Sequence, residues 1–181
     1  MKVVVRFIIG ILIFSGIIML SFKACQYRIP ISQTRFTEFM WDNDYYVVSN
    51  LYRTEGVGYA SGDDSGLIVD ITAEIDSMNI KIDYFEYESG DQAIAAYTKV
   101  CEETYQRYFT NSTNRELATL TSKIDYIKHT NGVNFDRYII RSPEKSIRTI
   151  VSRIQNTLIV VKDTPDISFT KVMDSLGNIG Y

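Results

Sequence analysis

Apolar residues crowd the start of the chain and then settle into short periodic runs. Residues 7–22 carry no charge between Arg6 and Lys23. As a helix these would rise about 24 Å, and Val3, Val4 and Val5 lengthen the run to about 20 residues, roughly the bilayer core, if Arg6 snorkels to the interface. Past Pro30 the pattern becomes that of a folded domain. Ser32 can cap a short helix whose Phe36, Phe39 and Met40 share one face, and Asp42-Asn43-Asp44 ends it. Residues 45–52 and 67–75 read as strands. In residues 80–88, Ile80, Ile82 and Tyr84 alternate with Lys81 and Asp83, the mark of a half-buried strand entered from a turn at Met78-Asn79.

Ser89-Gly90-Asp91-Gln92 has the spacing of a capping box, in which hydroxyl and amide satisfy free N–H groups reciprocally. It predicts a helix to about Phe109 with Ala93, Tyr97, Val100, Cys101, Thr104 and Tyr108 on its apolar face. After a polar connector (110–119), strands are expected over 123–129, 133–141, 146–154 and 157–162. Asn131-Gly132 and Gln155-Asn156 occupy the turns. Thr164-Pro165-Asp166 is expected to open a last helix, buried through Phe169, Val172, Met173 and Leu176 and ended by Gly177. The order α-β-β-β-α-β-β-β-β-α predicts an α+β domain: an antiparallel sheet of about six to seven strands with about three helices covering one face.

Charge divides the chain at the same place. All 22 acidic residues lie beyond residue 30, against 15 basic ones there, so the domain carries −7 while the whole chain carries −3. Without a basic stripe it makes a poor nucleic-acid binder. The N-terminal run has three readings: an uncleaved signal anchor, a cleaved signal peptide, or a lipoprotein signal ending at Cys25. The run is long for a signal peptide, and Phe22-Lys23-Ala24 fits the small residues wanted before a cleavage site poorly. The anchor is therefore favoured, dividing the chain into a transmembrane segment (1–24), a juxtamembrane linker (25–31) and a domain (32–181). Positive charges flank both ends of the run about equally; an N-terminal anchor followed by a whole domain is expected to export it. A pilin-like reading needs an early glutamate, and none precedes Glu38.

The candidate chemistry is thin. Gly56-x-Gly58-x-x-x-Gly62 lacks the following helix that a dinucleotide fingerprint needs, and reads as a loop. His129 is the single histidine, which rules out a multi-histidine metal site. Asp125 could pair with it, but alternate side chains on one strand stand about 7 Å apart, too far for a triad with Ser122. Cys25 and Cys101 form no metal motif; Cys101 behaves as a small hydrophobe on its helix. Asp63, Asp64, Asp70, Glu74 and Asp76 lack calcium-loop spacing, and the last three read as the wet face of a strand. No catalytic residue, metal ligand or cofactor is assigned.

Thirteen tyrosines remain. Tyr45, Tyr46, Tyr52, Tyr59, Tyr84 and Tyr87 fall on or beside the first three strands. They suit ordinary sheet packing. They also make the best-motivated binding surface, near the glycine-rich loop, for a protein or glycan.

The N-terminal apolar run, the Tyr84-Phe85-Glu86-Tyr87 strand, Arg153-x-x-Asn156-Thr157-Leu158-Ile159 and the Leu176-Gly177…Gly180-Tyr181 end together resemble small membrane-anchored or lipoprotein-like proteins of low-GC Gram-positive bacteria. The resemblance spans most of the chain and implies no activity. The expectation is a single-pass protein of the bacterial cell membrane, in the bilayer through residues 3–22, showing a non-enzymatic domain to an envelope protein partner. The competing expectations are an envelope hydrolase using Asp125 and His129, and a cation or ligand sensor.

Overall fold

A computed structural model describes residues 27–49, 66–109, 127–142 and 145–181. In chain order they form α1 (Gln33–Asp42), β1 (Tyr46–Ser49), β2 (Leu67–Ile75), β3 (Ile80–Tyr87), α2 (Gly90–Phe109), β4 (Ile127–Asn131), β5 (Phe135–Arg141), β6 (Ile147–Ile154), β7 (Thr157–Pro165) and α3 (Phe169–Asn178). Short 3-10 turns, Asp76–Met78 and Asp166–Ser168, precede β3 and α3. The seven strands form one antiparallel sheet in the order β1-β2-β3-β7-β6-β5-β4. The domain is α+β, as the element order predicts.

The helices do not share one face. α1 and α3 cover one side, where Phe36, Met40, Val172 and Leu176 meet Ile71, Ile82, Tyr84, Ile150, Ile159 and Val161. α2 covers the other, setting Ala93, Tyr97 and Val100 on Phe85, Val151, Leu158 and Val160. The cause is visible in β7. Leu158, Ile159, Val160 and Val161 are consecutive and all fully buried. A strand apolar on both faces needs cover on both.

Local chemistry places most element ends. Ser32 accepts a hydrogen bond from the Arg35 amide (3.4 Å) at the start of α1. At α2, Ser89 N–H donates to the Gln92 side chain (3.0 Å) and Gln92 N–H donates to Ser89 Oγ (3.3 Å), the expected reciprocal box. Gly66, just before β2, has φ +87°, and a Cβ there would lie 2.1 Å from the Gln92 side chain. Gly66→Ala is therefore expected to cost about 1–2 kcal/mol, read as a lower urea midpoint. An unchanged midpoint would refute the left-handed geometry.

Two ends differ from expectation. β7 runs on through Pro165, because Thr164 is buried and pairs with Arg148 across the sheet. Asp166 accordingly serves Arg148 (2.7 Å) and Arg141 (2.9 Å) rather than a helix terminus. Gly177 lies inside α3, and Gly180 (φ +89°) takes the left-handed position beyond its end. The β4–β5 turn is also displaced. Asn131 pairs with Asp136, and Gly132 N–H donates to the Phe135 carbonyl (2.8 Å), leaving Val133-Asn134 at the tip. Phe135 is buried and needs its place in the core, so the Asn-Gly step gives way to it.

Candidate functional site

Residues 27–31 lie as a strap on the domain. The Arg28 amide donates to Asn134 Oδ1 (2.9 Å), and Asn134 Nδ2 donates back to the Arg28 carbonyl (2.6 Å). The Arg28 guanidinium lies 4.0 Å from the Phe135 ring centre and donates to the Gly180 carbonyl (3.0 Å). Gln155 donates to the Tyr27 hydroxyl. Tyr84 donates to the Ile31 carbonyl (3.0 Å). The strap thus joins the β4–β5 tip, the β6–β7 tip and the end of α3. Around this clasp Tyr27, Ile29 and Val133 are exposed, Ile29 by 79%.

The six tyrosines part company. Tyr84 and Tyr87 are buried in the two halves of the core. Tyr45 is buried and hydrogen-bonded to Ser175 Oγ (3.1 Å). For these three, sheet packing is the observed role. Of the four among the described residues, Tyr46 is the exposed one, on the outermost strand of the sheet; Tyr52 and Tyr59 lie outside the described residues, as does the glycine-rich loop up to residue 65. A second aromatic joins Tyr46 in exposure: Trp41, at the end of α1 one turn before β1.

His129 is an exposed member of an aromatic group on β4. Tyr97 is roughly parallel to it (6.5 Å between ring centres) and Tyr138 meets it edge-on (5.3 Å). Asp125 and Ser122 lie outside the described residues. Cys101 sits beside this group, and burial pushes its thiol up to about 12. A nucleophilic cysteine needs the opposite shift.

The acidic residues of β2 and β3 were expected in water, but Asp70 and Asp83 are both buried. Thr72 Oγ1 donates to Asp83 Oδ1 (2.8 Å), and Lys81 Nζ lies 3.9 Å from the same oxygen. Asp76 remains exposed in its turn. Among the described residues no three His, Cys, Asp or Glu side chains are placed to hold a metal ion. Among them, too, no helix is long and apolar enough to cross a membrane; residues 3–22 lie outside them.

Two neighbouring cross-strand pairs of β5 and β6 behave differently. Asp136 opposes Arg153 on the α2 side, and Arg137 opposes Ser152 on the α1–α3 side. Arg153 donates both Nε (3.0 Å) and Nη2 (2.5 Å) to Asp136 Oδ2, and Nη1 (2.9 Å) to the Gln155 carbonyl. Arg137 has its Nε and Nη2 shielded from solvent with no hydrogen-bond partner, and Ser152 Oγ is in the same state. Sequence reading passed over Arg137, although Asp136-Arg137 within an alternating strand already puts opposite charges on opposite faces.

The fold and these sites define a class: a small α+β domain with one antiparallel sheet between helices and a clasped N-terminal strap. No family model, curated protein or solved structure matches the chain.

Proposed function

We propose that this chain is a single-pass membrane protein whose residues 3–22 lie in the bilayer of a bacterial cell. Its α+β domain then sits against the outer surface as a non-enzymatic binding module or a subunit of an envelope assembly. The docked strap is the observation that carries this reading. The apolar run ends at Phe22 and the strap begins at Tyr27, so extended chain between them reaches at most about 17 Å. An anchored domain would therefore be held close to the headgroups, with the clasp nearest to them. Tyr27, Ile29 and Val133 suit that place, since apolar and tyrosine side chains favour the membrane interface.

A partner on this reading meets the domain away from the clasp. Trp41 and Tyr46 support the β1 edge for that role: both are large, exposed and aromatic, a composition enriched in interfaces. The resemblance to anchored proteins of low-GC Gram-positive bacteria points the same way. Washing native membranes with alkaline carbonate tests the anchor. The chain is expected to stay in the pellet and to be cut by protease added outside intact cells; recovery in the supernatant would end the reading.

A further inference from the structure

We propose that Arg137 and Ser152 form a binding site for a carboxylate, with the Nε–H and Nη2–H of Arg137 as its two-pronged donor and Ser152 Oγ–H as a third. One residue pair away, Arg153 uses the same two nitrogens on the Asp136 carboxylate. On Arg137 the same edge of the guanidinium is shielded from solvent and meets no hydrogen-bond acceptor. Parallel N–H bonds from that edge match a carboxylate's two oxygens, and a guanidinium keeps its charge at any physiological pH.

Shielded polar groups in folded proteins are nearly always satisfied, and an unpaired shielded charge is costly. Here two donors of a cation and a facing hydroxyl are unsatisfied together, on residues that oppose each other across β5 and β6. The surroundings add attraction for an anion. Arg28 raises the positive potential at Arg137. Lys128 on β4 shares the face, because it pairs with Ile139, two residues from Arg137. Among the described residues no carboxylate forms an ion pair with Arg137. Arg28, Lys128 and Arg137 gathered at this place are a local exception in a domain of net charge −7 beyond residue 30.

Arg28 lies over Phe135, which shares a face of β5 with Arg137, so the strap borders the site. The donors are shielded from solvent, and charge-assisted bonds are strong where water is excluded. The site does not depend on the anchor: it stands whether or not residues 3–22 enter a bilayer.

The test is an arginine side-chain NMR titration of the full chain in detergent micelles. Sodium acetate replaces sodium chloride at constant ionic strength. The Arg137 Nε–H signal, assigned by its absence from Arg137→Lys, is expected to shift and saturate. The signals of Arg107 and Arg153, whose guanidiniums already hold Asp163 and Asp136, are expected to stay still. Ser152→Ala, which keeps the fork, is expected to weaken acetate binding about five-fold, the effect of one lost hydrogen bond. A shift that does not saturate, or that all three arginines share, overturns the proposal. So does an affinity unchanged in Ser152→Ala. An Arg137 signal already at its acetate-bound position before any is added would also overturn it, since the fork would then belong to a carboxylate of this chain.

Discussion

Replacing Tyr84 with alanine is expected to remove about 3–5 kcal/mol from the stability of the domain. Domains of this size are stable by roughly 5–15 kcal/mol in total, so the variant would be close to unfolding. The effect follows from where the ring sits. Tyr84 is fully buried in the middle of β3, opposite Ile71 on one side and Ile159 on the other. Its ring stacks on Phe36 of α1 at 4.8 Å. Removing it leaves a cavity between sheet and helix that neither can close without giving up other contacts. The hydroxyl contributes less. It donates to the part-buried Ile31 carbonyl of the strap (3.0 Å), so Tyr84→Phe is expected to cost only about 1 kcal/mol. Urea unfolding at neutral pH separates the two through their midpoints, at constant slope. An alanine variant as stable as the phenylalanine variant would contradict this account of the core.

Tyr84 also shows which parts of the fold are legible in the sequence. Its alternation with Ile80 and Ile82 marked β3, and Ser89 with Gln92 marked the start of α2, because both signals are local and physically short-range. Long-range pairing left no such mark. The chain writes β1–β3 and β4–β7 as separate blocks, yet β3 pairs with β7. Only the unbroken apolar run of Leu158 to Val161 hinted that β7 is central and covered on both sides. The displaced β4–β5 turn and the extended end of β7 have one cause. Asn-Gly and Thr-Pro-Asp are good local signals, but burying Phe135 and Thr164 overrode them. Site residues were less legible still. Six tyrosines looked alike in sequence, and burial separated Tyr45, Tyr84 and Tyr87 from Tyr46. Arg137 carried no motif; its interest comes from what it fails to touch.

Asp83 makes the stability of the domain depend on pH. The domain should lose stability as pH rises from about 4 to 6, by about 3 kcal/mol from this carboxyl alone. Burial pushes Asp83 up to about 6, against an ordinary value of 3.8; the Thr72 hydrogen bond and Lys81 pull it down, while Asp70 and Glu74 push it further up. In that pH range the folded chain holds the proton and the unfolded chain has released it. The folded state therefore binds more protons, and its advantage falls until Asp83 ionises in both states. Above about 6 the group adds no further slope. Asp166 acts in the opposite sense: Arg148 and Arg141 pull its carboxyl down despite some desolvation, so it favours the fold above its unfolded value and loses that effect in acid. Comparison with Asp83→Asn isolates the first effect from the second. The amide still accepts from Thr72 but cannot ionise, so this variant should be the more stable protein at pH 7 and show the flatter profile from 4 to 6. Equal slopes for the two proteins would mean that Asp83 is charged in the fold throughout, and that Lys81 compensates it far better than a contact at 3.9 Å with a half-exposed ammonium would allow.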